Sequence, residues 1–327
     1  MKIVRYHTLG QRGARIGALV DQHVVHLGWL VHGEHLQPTG LDEDMVSFIK
    51  YAEDGQESIR HLVAVSQADA RRLVPVAQVR ILAPFVPTTI LCAGSNYKAH
   101  NDEKMGAAAS GQEPEFFVKT GDCVIGPLDS IVCDSRFTQK LDCETELAIV
   151  IGRGGRHIPI DRALNHVFGY SIVNDVTARD RQVRQGPNGS VWYDLGRGKV
   201  FDTSAPFGPC ITTADDIPDP QQLFIRTRIN GELRQAAHTA EMIWSCAELI
   251  HHFSVNMTLR AGMVIITGTP AGTAWSADPE LGGKWAPSNS GEATVKAARY
   301  CQPGDTVVSE IEGIGALMNV VAQPRWA

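Results

Sequence analysis

Apolar residues in this chain gather into short runs broken by Gly, Pro and Asn, the texture of strands and turns. Near the start, Ile16–Val20 and His23–Leu27 are apolar runs joined by Asp21-Gln22, which predicts a hairpin among short strands in residues 1–50. Residues 56–72 read as a helix, polar on one face. From Val74 to Pro87 the texture changes, with Pro75, Pro84 and Pro87 close together. A boundary is expected near residue 85, between a small β-rich N-terminal domain (1–85) and a larger domain (86–327). In the larger part the strand candidates are Ile90–Ala93, Ser130–Cys133, Glu144–Ile151, Tyr170–Asn174, Phe224–Ile229, Met263–Thr267 and Thr306–Ile311. Asn230-Gly231 is a hairpin-turn signal. The strongest helix runs from Ala240 to about Val255, with Thr239 as its cap; Met242, Ile243, Cys246, Leu249, Ile250 and Phe253 share one face. A second helix is expected near Asp161, carrying Ala163, Leu164 and Val167. Strands and helices do not alternate regularly, which argues against a doubly wound parallel sheet and for an α+β, mostly β, fold. Segments 105–113 and 274–303 read as mobile, and a loop as long as the second usually carries function.

Composition narrows the function classes. The 327 residues suggest about two domains and a core large enough to need no disulfide or metal staple. A net charge of −6 argues against a nucleic-acid or polybasic membrane-surface partner. The N-terminus has no apolar stretch of secretory-signal length, and Leu147–Ile151 is too short to span a bilayer. Cys92, Cys123, Cys133, Cys143, Cys210, Cys246 and Cys301 are scattered, odd in number and lack a C-x-x-C pair. Reduced thiols in a cytoplasmic protein are the expectation.

Five segments could carry chemistry. In Asp142-Cys143-Glu144-Thr145-Glu146, strand spacing puts Glu144 and Glu146 side by side, with Asp142 on the same face. The apolar run that follows implies burial, and buried like charges need a cation or a proton. The plain alternative is an edge strand with two solvated carboxylates. In the second, Asp175 ends an apolar strand and could complete an all-oxygen site, which selects Mg²⁺, Mn²⁺ or Ca²⁺ over zinc or copper. In the third, His100 and Glu103 are neighbours on a helical turn, where the carboxylate would raise the basicity of the imidazole. The fourth is Lys199 in Gly198–Asp202, which beside a metal could stabilise an enolate or oxyanion. The fifth is the Thr267–Thr273 turn, whose hydroxyls and N–H groups could bind a carboxylate. Other chemistries fail: there is no G-x-S-x-G elbow, and Gly152–Arg156 lacks both phosphate-loop and dinucleotide spacing. His32-Gly33-Glu34-His35 reads as a loop.

Taken in order, these segments resemble the fumarylacetoacetate hydrolase family. The set is Asn96-Tyr97-x-x-His100-x-x-Glu103, Glu144-x-Glu146-Leu147, Gly169-Tyr170 to Asp180, Gly198-Lys199 to Asp202, Asn230-Gly231-Glu232, Thr267-Gly268-Thr269-Pro270-x-Gly272, Pro303-Gly304-Asp305 and Ile311–Gly315, spanning about residues 88–320. The resemblance implies a mixed β-sandwich roll behind a small N-terminal domain. It also implies metal ligands at Glu144, Glu146 and Asp175, a general-base dyad at His100 and Glu103 in a lid segment, and a metal-proximal lysine at Lys199. Arg179 and Gln182 would line the site, and Thr269 would meet the substrate carboxylate. Members are commonly homodimers. The expected activity is Mg²⁺- or Mn²⁺-dependent C–C hydrolysis of an acylpyruvate, a small 2-oxo acid, with His100 activating water. Decarboxylation, tautomerisation or dehydration through the same enolate is the second expectation, and a non-enzymatic Ca²⁺-binding protein the third. The stretch between Gly272 and Gly304 is longer than in minimal members, so it would reshape the pocket or the dimer contact.

Overall fold

The computed structural model describes residues 1–27, 29–32, 35–38, 44–52, 56–104 and 111–324. Of the segments singled out above, Met105–Ser110, and Gly33 and Glu34, lie outside the described residues.

Strand Thr145–Ile151 lies deep in a 12-stranded, mostly antiparallel sheet. Its neighbours are Val167–Asn174 and Val264–Ile266, and the latter runs parallel to Thr89–Gly94. Burial on both faces explains why Leu147–Ile151 is an unbroken apolar run. Leu147, Ile149 and Ile151 enter one core cluster with Leu249, Ile250 and Phe253 of a helix and with Ile225, Ile311 and Leu317 of a second, five-stranded sheet. Ala148 and Val150 enter another, with Phe48, Ile49, Ile59 and Leu62 from the N-terminal helices Met45–Tyr51 and Gln56–Gln67. Each large aliphatic side chain so buried contributes roughly 1.5–3 kcal/mol. The result is the α+β, predominantly β, layered roll expected. The hairpin Arg15–Val20/His23–His26 forms as predicted. Strand Lys2–Thr8 pairs with Ala205–Thr213, so the sheet runs unbroken from the first 85 residues into the rest.

Two helix expectations are corrected. The long helix is Cys246–Asn256, not 240–255, and Ser245 caps it. The Ser245 hydroxyl accepts from the Glu248 N–H while Glu248 reaches back to the Ser245 N–H, a reciprocal cap that outcompetes Thr239. Thr239 instead opens a 3₁₀ turn, and Ile243, assigned to the apolar face, is exposed. Residues Ile160–His166 form a 3₁₀ helix rather than an α-helix. The 274–303 segment has only two 3₁₀ turns but is tied down rather than free: Lys140 and Tyr300 both reach Asp278 at 2.7 Å, and Arg226 grips Glu292. Strand Ala205–Thr213 was hidden in the sequence by Pro206, Gly208 and Pro209.

Candidate active site

The register Thr145↔Asn174 sets the start of one strand beside the end of its antiparallel neighbour. Asp175, one residue on, therefore lands next to Glu144: its N–H donates to the Glu144 carbonyl at 2.8 Å. Asn174 locks the corner through its Oδ1, which accepts from the Glu144 N–H at 2.9 Å. Glu144, Glu146 and Asp175 are buried, and each offers a carboxylate oxygen within 4.8 Å of the others. Asp142 does not join them. Its carboxylate accepts from Arg179 Nε at 2.9 Å and from the amides of Ala274 and Trp275.

Three buried cations surround the triad. Lys199 contacts Glu144 and lies 2.5 Å from Asp175; Arg179 contacts Glu144; Lys119 lies 2.8 Å from Asp175. Burial by itself would raise Glu144, yet the Arg179 and Lys199 charges hold it below the usual carboxylate range. Burial likewise opposes the Lys199 charge, but Asp175 and Glu144 outweigh it and raise Lys199. Among the described residues, Glu146 touches no cation and accepts only the Gly268 N–H at 2.7 Å. Burial, then Asp175 and Glu144, push it well up. A cluster of hard oxygen donors containing one uncompensated carboxylate fits a divalent ion such as Mg²⁺ or Mn²⁺.

His100 lies on the short helix Lys98–Asp102, and its Nδ1 is 3.3 Å from Glu103 Oε2. They are 4% and 3% exposed, and this burial decides their state. Desolvation, then the Lys104 charge, drives His100 well below the ordinary imidazole value, and desolvation raises Glu103 to about 8. The expectation of a His100 made more basic by Glu103 is thereby corrected: burial outweighs the neighbouring carboxyl and favours the neutral form of both groups.

Every expected site residue except Glu103, which stands behind His100, lines one cavity of about 300 Å³. Gln182 Oε1 accepts from Arg179 Nη1 at 2.9 Å, which fixes both side chains. The Thr269 hydroxyl donates to the Thr145 carbonyl and accepts from Gln235. A second cavity of about 230 Å³, beside Arg234, Thr273 and Tyr300, contains none of the triad.

Sequence reasoning missed Lys119, Lys104, Tyr193 and Trp275. The Trp275 indole packs against Arg179 (4.9 Å), Tyr193 (5.5 Å) and His100 (6.5 Å), and so forms a wall of the cavity. Tryptophans in an otherwise polar loop, Trp275 and Trp285, were the available signal. Lys119 gave none, because a lysine in a strand usually reads as solvated.

The family described as fumarylacetoacetate (FAA) hydrolase C-terminal matches residues 89–322. A protein of Bos taurus called oxaloacetate tautomerase FAHD2B, mitochondrial, is 34% identical over 90% of this chain and 84% of its own. The solved structure of a fumarylacetoacetate hydrolase from psychrophilic Exiguobacterium antarcticum is 34% identical, covers 99% of this chain and 100% of its own, and superposes with a TM-score of 0.74. A maleylpyruvate hydrolase from Sphingobium sp. SYK-6, solved in complex with manganese(II) and pyruvate, is 26% identical, covers 99% of this chain and 100% of its own, and has a TM-score of 0.68.

Proposed function

This chain belongs to the fumarylacetoacetate hydrolase family, and on that premise we propose that it is a divalent-metal-dependent keto–enol tautomerase of a small 2-oxo acid of the oxaloacetate class. The observation that carries the reading is the enclosed His100–Glu103 pair, in contact at 3.3 Å, where burial pushes the imidazole down and the carboxyl up. Tautomerisation takes a proton from one atom and returns it to another. A neutral imidazole hydrogen-bonded to a buried carboxyl can do both without a charge being left in the cavity.

Glu144, Glu146 and Asp175 would hold Mg²⁺ or Mn²⁺, which when bound polarises the oxo acid and stabilises enolate charge. Arg179 and Gln182 orient the acid, and the Thr269 turn receives its carboxylate. Lys199 has three donors, two of them spent on Glu144 and Asp175, which leaves the third to meet the developing enolate in the cavity that Lys199 lines. His100 moves the proton at the carbon next to the oxo group, and the Trp275 wall keeps water away.

The likeness to the maleylpyruvate hydrolase favours a second reading, hydrolysis of an acylpyruvate, in which His100 would activate a water. The test uses metal-stripped protein with Mg²⁺ or Mn²⁺ restored, mixed with oxaloacetate, acetylpyruvate and fumarylpyruvate. Loss of enol absorbance with the carbon skeleton intact supports the tautomerase. Pyruvate plus a second acid supports the hydrolase, and pyruvate plus CO₂ a decarboxylase. A bound ion with no turnover on any oxo acid would leave only a structural Ca²⁺ site. Two further parts of the reading are a homodimer, checked by sedimentation, and a cytoplasmic location, checked by cell fractionation. Seven free cysteines support a reducing compartment, and no helix among the described residues is long and apolar enough to cross a membrane.

A further inference from the structure

Lys104 follows Glu103 directly, and its ammonium lines the same cavity as the triad. Its one hydrogen bond among the described residues goes to the Ser95 hydroxyl at 3.2 Å, and no carboxylate of those residues lies within ion-pair distance. The acids around it are committed elsewhere. Glu103 is held by His100 and the Gly272 N–H, and Glu144 by Arg179 and Lys199. Glu115 stands exposed at the rim of the cavity and makes no ion pair with Lys104. A partly buried cation with no counter-charge is costly, and its desolvation pulls Lys104 down to about 7. The position is nonetheless well fixed. The Lys104 backbone bridges to Gly283, the Lys284 N–H donates to the Glu103 carbonyl at 2.9 Å, and the ammonium rests 5.5 Å from the Trp275 ring centroid. Against the same indole lies Tyr193, whose buried hydroxyl also finds no partner among the described residues.

We propose that Lys104, assisted by the Tyr193 hydroxyl, is the receptor for a second carboxylate at the far end of the substrate, so that this site selects dicarboxylic 2-oxo acids over monocarboxylic ones. The inference rests on the oxo-acid reading above and deepens it. The counter-charge that Lys104 lacks among the described residues is supplied by the ligand. A substrate with its oxo end at the triad and its distal carboxylate on Lys104 sets the intervening carbon beside His100. That carboxylate also screens the Lys104 charge, which after burial is the largest influence holding His100 down.

The test compares two substrates of equal chain length, oxaloacetate and 2-oxobutanoate, which has a methyl group in place of the distal carboxylate. Mn²⁺-loaded full-length protein is assayed by enol absorbance on the first and by deuterium exchange at C3 on the second. Wild type is expected to favour oxaloacetate. Lys104→Gln is expected to lower kcat/KM for oxaloacetate relative to 2-oxobutanoate by about tenfold or more, mostly through KM, as loss of a charge-assisted hydrogen bond implies. Lys104→Arg, which keeps the charge, should retain most of the preference, and Tyr193→Phe should lose a smaller part. An equal loss on both substrates would make Lys104 a support of the lid turn alone, and no change on either would leave it without a role; each overturns the proposal while sparing the tautomerase reading. Wild-type protein that enolises neither substrate would remove that reading, and this inference with it.

Discussion

The Gly272 N–H donates to Glu103 Oε1 at 2.8 Å, so the buried carboxyl of the dyad is anchored to the turn that follows Thr269. Gly272 has φ +107°, and a Cβ placed there would come within 2.0 Å of the Arg234 carbonyl oxygen. Any side chain must push that turn away from strand Glu232–His238. Gly272→Ala is therefore expected to cost about 1–3 kcal/mol and to lower kcat at least tenfold by releasing Glu103. Urea unfolding and steady-state kinetics check both. Normal turnover in a destabilised variant would separate the anchor from the chemistry.

Glu103 also predicts a pH dependence of stability. Burial raises its carboxyl to about 8 in the fold, against 4.5 in the unfolded chain. Between those values the folded state holds a proton that the unfolded state has released. Stability from this group is thus full at acid pH, declines as pH rises toward about 8, and is flat beyond. Glu103→Gln keeps an acceptor for Gly272 and cannot ionise. Unfolding free energies at intervals from about pH 5 to pH 9 should differ between wild type and variant by a slope amounting to a few kcal/mol across that window. Parallel curves would mean that Glu103 is ionised in the fold.

The triad and the dyad should separate cleanly by substitution. Glu146 is the triad carboxylate with no cation beside it among the described residues, so Glu146→Gln relieves burial strain and removes a ligand. The metal-free thermal midpoint should stay at or above that of wild type, while the rise that Mn²⁺ gives wild type should vanish. Calorimetric titration with Mn²⁺ reads the same loss directly. If Mn²⁺ still binds with wild-type affinity, the triad is not the metal site.

His100→Ala should do the reverse. The imidazole touches none of the three carboxylates, so Mn²⁺ affinity is expected within about threefold of wild type. Turnover should fall by roughly 10²–10⁴, the range for loss of a general acid–base. Activity surviving at wild-type level would exclude the dyad from the mechanism.

What could be read from residues alone followed from local periodicity. Glu144 and Glu146 share a face because strands repeat every two residues, and His100 meets Glu103 because a helical turn brings i and i+3 together. Asp175 needed the order of the segments, since only strand pairing brings it to Glu144. The net shift on His100 ran against the expectation because local spacing shows the neighbouring carboxylate but not the depth of burial, which dominates. Trp275 reaches the cavity through a loop with no periodic pattern. The start of the long helix was misplaced for a related reason: Thr239 and Ser245 can both cap, and the Ser245–Glu248 pairing decides between them.

Lys119 was the least visible of these, and it yields the sharpest stability prediction. In Phe116-Phe117-Val118-Lys119-Thr120 it looks like a solvated lysine on a strand. It is fully buried, and its ammonium donates to Asp175 Oδ1 and to the Lys199 carbonyl. Lys119→Met would leave Asp175 with Lys199 as its one remaining cation among the described residues, and the Lys199 carbonyl without this donor. Breaking a buried pair from one side costs about 3–5 kcal/mol, because the surviving charge stays desolvated. The exposed pair Lys98–Asp102, at 2.7 Å, provides the control: Lys98→Met removes an ion pair of similar length in solvent and should change stability by less than about 1 kcal/mol. Urea unfolding of the two variants gives the contrast. Mn²⁺ titration of Lys119→Met adds a second reading, since an Asp175 freed to turn toward another cation should weaken metal binding even where the fold survives. If both variants lose equally little stability, Asp175 is not held by Lys119 in the way its 2.8 Å contact implies.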